Sequence, residues 1–444
     1  MRAASQSASP DGAVPEPHGR LFPAATTQTK RLALLRGPHR WWKNPYVWAY
    51  SYPGQLDVPR LEQTLRLVAR RHSGLRIHFR PEDSIDTVRC LPADEATWPL
   101  REMTAGADPA AADAEAYAWL QQRFSPYEEP LLRAVVLHRQ ETDLFGVSIE
   151  QSILDHAGAM ALFDDIAEVY DGLVDRPASA FDELVTDATR FALDERAWFA
   201  GDAAKETLAW WDKHNEGLGA YPGLDLPDLG RVEPWGPIIN HDLPLSDDDT
   251  VLLKQHARRL RLTTTMLASA AAAVTLRAHG HSGDVRFLFA TSRRVWPSTE
   301  KVIGYFSNRM MVRFPVTEED TVASLAPSVR TGVLTAVTNS MFSHEEYVRA
   351  RYPEAYDREP TGYGYLNTAV YESTPHLGGL KLIRESLPMF GRDFHQPGLA
   401  MSLFLYGDGR AVANASCAEG MYTREFIETF TRDFARACVG ATEK

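Results

Sequence analysis

Apolar residues recur along this chain with two different periods, and the period switches from stretch to stretch. In DVPRLEQTLRLVARRH (57–72), Leu61, Leu65 and Val68 fall at helical spacing, with Asp57 at the start and Gly74 beyond the end as boundary signals. WWKNPYVWAYSYPG (41–54) alternates β-formers and ends in Pro-Gly, which predicts a strand. LRIHFR (75–80) and DTVRC (86–90) read as short strands, and the Ala-rich stretch around 109–124 as a helix. Two apolar strands follow, LLRAVVLHR (131–139) and LFGVSIEQ (144–151), then a tight turn and a helix over 156–173.

The stretch 180–216 reads as helical, and the Pro/Gly density of YPGLDLPDLG (221–230) reads as a linker. The second half repeats the mixture. Strands are expected at 237–244, 284–292, 309–316, 363–371, 379–386 and 399–416, the last broken by the GDGR turn (407–410), with helices at 246–260, 263–279, 321–339 and 423–438. Helices and strands interleave in both halves, which implies two α/β layers rather than a bundle or a sandwich.

At 444 residues the chain exceeds what one hydrophobic core supports, so two packed domains are expected. With 44% hydrophobic and 24% charged residues the composition is that of an ordered globular protein. A net charge of −12 argues against a nucleic-acid partner, because phosphate binding needs a dominant basic surface. Three cysteines without metal-like spacing fit a reducing cytosol, and no apolar run is long enough to span a bilayer. The first residues lack the apolar centre of a signal peptide and read as a disordered tail. No phosphate loop, serine-hydrolase elbow or paired metal-ligand histidines occur.

One tract stands out, EQSILDH (150–156), placed at the strand-to-helix turn. It resembles the His-His-x-x-x-Asp-Gly tract of nonribosomal peptide condensation domains and chloramphenicol-acetyltransferase-like enzymes, with Glu150, Gln151, Asp155 and His156 at the four signature positions and only Asp155 unchanged. VARRHSGLRIHF (68–79), DVRFLFATSRR (284–294), VIGYFSNRMMVRF (302–314) and SHEEYVRARYP (343–353) resemble further family segments in the expected order. The resemblance implies two chloramphenicol-acetyltransferase-like lobes forming a V-shaped pseudo-dimer with a tunnel at their interface. The expected division is a tail over 1–24, an N-terminal lobe over 25–176 and a C-terminal lobe with linker helices over 177–444.

The resemblance further implies a free-standing enzyme that transfers an acyl or aminoacyl group from the phosphopantetheine of a partner carrier protein to a small amine or alcohol acceptor. It implies no cofactor of the chain's own. In the family the second histidine serves the acceptor; here Gln151 stands in its place, and an amide takes no proton at neutral pH.

Three readings compete. Catalysis can survive through positioning and oxyanion stabilisation, with Gln151 orienting the acceptor. The base can have moved to His156, Glu150 or His395. Or the module is catalytically silent and binds a carrier-tethered intermediate so as to recruit another enzyme. A minority reading, cyclisation or cyclodehydration, rests on the two carboxylates of Glu150 and Asp155.

Strand alternation sets Glu150 on the face opposite Gln151. Asp155 is expected to cap the following helix and, on the resemblance, to pair with Arg294, with Arg293 as the rival. Ser307 and Asn308, with Tyr305 between them and Gly304, are candidate tunnel-lining residues, Asn308 having a turn-forming role as its alternative. The basic, aromatic segment KRLALLRGPHRWWK (30–43) offers either a carrier-protein contact or a solvated face.

Overall fold

The computed structural model describes residues 19–36, 45–125, 127–183, 187–221, 223–226, 235–236, 238–356, 362–371, 375–385, 394–395 (backbone) and 398–440. Its first half begins with a short strand, Arg20–Pro23, paired antiparallel with Thr87–Cys90, followed by helix α1 (Thr26–Arg36), strand β1 (Tyr46–Pro53) and helix α2 (Val58–Arg71). The Asp57 carboxylate accepts from Arg60 N at 3.0 Å to start α2, and the helix buries Leu61, Leu65 and Val68 along one stripe. Strand β2 (Leu100–Thr104), helix α3 (Pro109–Gln121), strands β3 (Leu132–His138) and β4 (Thr142–Ile149) and helix α4 (His156–Gly172) complete this half.

Two helices follow, α5 (Ala188–Ala200) and α6 (Asp202–His214). The second half contains β5 (Ile238–Pro244), α7 (Asp247–Leu260), α8 (Thr264–Ala278), β6 (Val285–Ser292), β7 (Ser307–Phe314), α9 (Val322–Thr338) and α10 (His344–Arg351). After these come β8 (Tyr363–Tyr371), β9 (Ile383–Arg384), β10 (Gly398–Tyr406), β11 (Ala411–Ala418) and α11 (Arg424–Val439). Helix α8 is buried on nearly every side, and its alanines let α9 and α11 pack closely against it.

The strands form two main sheets, five-stranded in the order β9-β1-β4-β3-β2 and six-stranded in the order β7-β6-β8-β10-β11-β5. Each has its own core. Phe145, Val147, Leu162 and Tyr170 are at the centre of the first, and Phe287, Phe289, Met401 and Phe430 at the centre of the second. Helix α5 gives Phe191 to the first core, while α6 gives Trp211 to the second.

Three local expectations are revised. The stretch read as a strand over 75–80 is a short 3-10 turn, Ser73–Arg76, followed by only two strand residues. The turn is held from inside: His72 Nε2 meets Asp165 at 2.9 Å, and Arg71 pairs with the same carboxylate at 3.2 Å. The strand expected over 379–386 is broken into pieces, of which β9 leaves its own half and pairs antiparallel with β1 at Ser51 and Tyr50. Of the basic segment 30–43, Lys30 and Arg31 turn inward to ion pairs with Glu345 and Glu150, both at 2.7 Å, and residues 37–43 lie outside the described residues.

Helix α1 is thus a wedge between the lobes. Gln28 and Arg31, one turn apart, face the first lobe, where Gln28 Nε2 donates to Ser152 O at 3.0 Å. Thr27 and Lys30 face the second, where Thr27 Oγ1 donates to Tyr305 O at 2.7 Å. Close backbone approach adds to this tie, since a Cβ at Gly74 would sit 2.0 Å from the carbonyl oxygen of Ile303. Gly74→Ala is expected to destabilise the protein by about 1–3 kcal/mol or more through overpacking at this lobe contact, read as a lower denaturation midpoint. An unchanged midpoint would show that the two segments move apart freely.

Candidate functional site at the lobe interface

Strand β4 ends at Ile149, and the chain passes through a 3-10 turn, Gln151–Ile153, before α4 begins at His156. Asp155 organises this passage. Its Oδ1 accepts from Gly158 N at 2.8 Å as a helix cap, and its Oδ2 accepts from Phe306 N at 3.0 Å and from Arg294 Nη1 at 2.6 Å. Asp155 N donates in turn to Gly304 O at 3.0 Å. The guanidinium of Arg294 also donates to Val302 O at 2.9 Å and lies over the Phe306 ring. Arg293, the rival partner, pairs instead with Glu195 and Glu346.

Glu150 is buried at 1% exposure. Its Oε1 takes the Arg31 ion pair, and its Oε2 accepts from Ser152 N. Gln151, the next residue, is half-buried at the first position of the turn. The two therefore part company: Glu150 serves the inner wall, and Gln151 stands at the accessible side.

His156, the first residue of α4, packs edge-on against Tyr371 of β8, with ring centroids 4.7 Å apart. Tyr371 stacks on Tyr406 at 4.9 Å, and the guanidinium of Arg384 on β9 lies 5.4 Å from the Tyr371 ring. His156 Nε2 is buried and has no hydrogen-bond partner among the described residues. Burial holds the imidazole below the usual histidine range; the Asp155 carboxylate opposes this and Arg384 adds to it. The ring is therefore neutral at neutral pH.

Strand alternation sorts the remaining candidates. Ser307 and Arg309 of β7 are half-buried on one face, while Asn308, on the other, is 4% exposed. The Asn308 amide donates to Ser340 O, and its Oδ1 accepts from Arg309 N at 2.9 Å, so this side chain knits β7 to the chain beyond α9. Tyr305 is half-buried, and burial raises its hydroxyl above the ordinary phenol range. The backbone of Phe394–His395 pairs with Trp235–Gly236, but the His395 side chain lies outside the described residues.

Sequence reasoning missed the α1 side of the site. Lys30 and Arg309 both reach Glu345 Oε1, at 2.7 and 2.5 Å, and Tyr46 and Tyr365 are half-buried alongside. The Lys30 and Arg309 side chains are 29% and 22% exposed, while Glu345 is buried. The sole signal was the spacing of Gln28 and Arg31 from Thr27 and Lys30, which is ambiguous without knowing what each face meets. No group of three or more possible metal ligands and no helix long and apolar enough to cross a membrane occur among the described residues.

A family model described as "Condensation domain" matches residues 33–358. A linear gramicidin synthase polypeptide of Brevibacillus parabrevis is 27% identical over 319 residues, covering 68% of this chain but only 4% of the synthase. Among solved structures, the condensation domain from the monacolin K polyketide synthase MokA superposes with a TM-score of 0.78 at 16% identity, covering 95% of this chain and 97% of that one. The X-domain from teicoplanin biosynthesis gives 0.75 at 19% identity, covering 97% of each chain, and it also matches in complex with OxyB. The two-lobed α/β fold, the Asp155–Arg294 turn and a family model spanning most of the sequence together place this chain in the condensation-domain family.

Proposed function

We propose that the chain transfers an acyl or aminoacyl group from a carrier protein's phosphopantetheine thioester to an amine or alcohol, with His156 taking the proton that the missing tract histidine would take. The observation that carries this reading is the His156 Nε2 atom, buried, held neutral and without a described partner one residue past Asp155. A neutral imidazole is the form a proton acceptor needs.

The acceptor nitrogen or oxygen attacks the thioester carbonyl and forms the new C–N or C–O bond. His156 Nε2 accepts the acceptor's proton, and the tetrahedral oxyanion collapses with cleavage of the C–S bond. The imidazolium returns the proton to the departing thiolate, so charge and atoms balance. Gln151, which can donate and accept but not titrate, orients the acceptor or the carbonyl. Asp155 and Arg294 are positioning residues, because they set the direction of the turn. The paired state of both tract carboxylates weighs against cyclodehydration, since Glu150 is taken up by Arg31 and Asp155 by Arg294.

A second reading, recruitment of another enzyme by a silent module, is favoured by one comparison: the X-domain that shares this fold was solved in complex with OxyB. It would need a binding surface rather than a proton acceptor.

Incubation of the protein with acyl-loaded carrier proteins and candidate acceptors, followed by mass spectrometry, separates the two. Acyl transfer predicts a new amide or ester whose rate falls roughly 10²- to 10⁴-fold in His156→Ala. Gln151→Ala is expected to lose about 5- to 100-fold, the worth of one or two orienting hydrogen bonds. No product, with measurable binding of the loaded carrier, would support recruitment instead.

Asp155→Asn strips the buried Arg294 of its counter-charge and is expected to cost about 3–5 kcal/mol of stability, read by chemical denaturation. A loss under about 1 kcal/mol would show that the turn does not depend on the ion pair.

A further inference from the structure

Residues 375–385 follow β8 of the second lobe in the chain, yet they lie on the first. Leu377 and Leu382, each 1% exposed, belong to the first core, Gly378 N donates to Asp171 Oδ1 at 2.6 Å, and β9 pairs with β1. The segment is a strap that one lobe lays across the other.

Glu385 fastens the end of the strap. Its amide donates to Ala49 O at 2.9 Å, and its half-buried carboxylate draws donors from three places in the first lobe. Oε1 accepts from Ser51 Oγ of β1 and from Arg139 Nη1, both at 2.5 Å. Oε2 accepts from the Tyr117 hydroxyl of α3 and from Arg139 Nη2, the latter at 3.1 Å. These donors fill the about four lone-pair positions that one carboxylate offers. Asp113 steadies Arg139 from the other side, accepting from its Nε at 2.9 Å. Against the cost of burial, Arg139, Ser51 and Tyr117 hold the Glu385 carboxyl below the usual carboxylate range, so the lock is ionised at neutral pH.

The residue that the lock holds in place is Arg384. Neighbouring strand residues point to opposite faces, so Arg384 turns away from the Glu385 cluster. Its guanidinium lies 5.4 Å from the centre of the Tyr371 ring, within cation–π range. Tyr371 meets the His156 ring edge-on at 4.7 Å and stacks on Tyr406 at 4.9 Å. The contacts close a circuit: from the first lobe to the strap through Glu385, from the strap to the second lobe through Arg384 and Tyr371, and back to the first lobe at His156. The charged groups that act on His156 are Asp155, itself paired with Arg294, and Arg384.

We infer that Glu385 is a positioning residue: by locking the strap onto the first lobe, it holds Arg384 and Tyr371 against the His156 ring. This deepens the acyl-transfer reading and rests on it for the use of His156 as the proton acceptor.

Two readouts on the full chain test it. The first is an NMR pH titration of the protein with labelled histidines, in which His156 is assigned by the signal lost in His156→Gln. Arg384 disfavours the imidazolium, so its displacement raises the His156 midpoint. Glu385→Ala, which removes the whole lock, and Arg384→Gln, which leaves the lock intact, should both move the midpoint upward. Combined, they should move it little further than either alone, because both act through the same guanidinium. The second readout is single-turnover transfer from an acyl-loaded carrier protein. Glu385→Ala should lower the maximal rate constant roughly ten- to a hundredfold, the cost of a misplaced reacting group, with the half-saturating carrier concentration little changed.

Should Glu385→Ala fail to fold, Arg139→Met opens the two-pronged ion pair and leaves Ser51 and Tyr117 in place. A His156 midpoint unmoved by loss of the lock would overturn the inference, whatever the rate does. Additive shifts in the combined variant would overturn it as well. If the unaltered protein transfers nothing, the acyl-transfer reading fails, and the titration alone decides whether Glu385 positions His156.

Discussion

A buried carboxylate, that of Asp155, is the constraint on which the site depends. At 2% exposure its oxygens need protein partners in place of water, and they find them in three directions: the Gly158 amide at the start of α4, the Phe306 amide and the Arg294 guanidinium. Those partners belong to both lobes. The same carboxylate therefore starts the helix that carries His156, fixes the exit of the strand that carries Gln151 and draws the 302–306 segment of the second lobe against the first. Burying an ion pair gains little stability in itself, but it punishes every arrangement that separates the partners. That penalty is what makes the turn directional.

Helix α1 extends the constraint across the interface. Arg31 neutralises Glu150 beneath the tract, while Lys30, on the adjoining face, reaches Glu345 in the second lobe. The first signature position of the tract has thus become part of the wall, and the neighbouring Gln151 has lost the ability to titrate. In the proposed transfer the proton goes to the residue after Asp155, whose ring burial holds below the usual histidine range and which packs against Tyr371, itself stacked on Tyr406.

Much of this was legible in the sequence because it is local. The helical stripe of Leu61, Leu65 and Val68, the capping role of Asp155 and the opposite faces of Glu150 and Gln151 follow from periodicity and side-chain chemistry. The pairing of Asp155 with Arg294 is the one that the family resemblance implies, and it is the pairing observed. What could not be read depends on partners far along the chain. Lys30 and Arg31 look like a solvated basic patch until Glu345 and Glu150 are seen to meet them. Ile383 and Arg384 look like part of one strand until β1 captures them. LRIHFR reads as a strand by its residues, yet Asp165 and the close approach of Ile303 to Gly74 accompany a turn over Ser73–Arg76 that takes its first two positions.

The central claim is that a neutral His156, aimed by the Asp155 turn, accepts the proton in acyl transfer. Its most direct test is the pH profile of single-turnover transfer for the protein and for His156→Gln. Burial lowers the His156 pKa, so the ring becomes protonated only below the ordinary histidine value of about 6.5. With an alcohol acceptor, which does not itself titrate in this range, the rate should hold constant as pH falls to that value and drop below it as the base is titrated, and the residual rate of His156→Gln should lack this acid limb. An identical acid limb in both proteins would contradict the account.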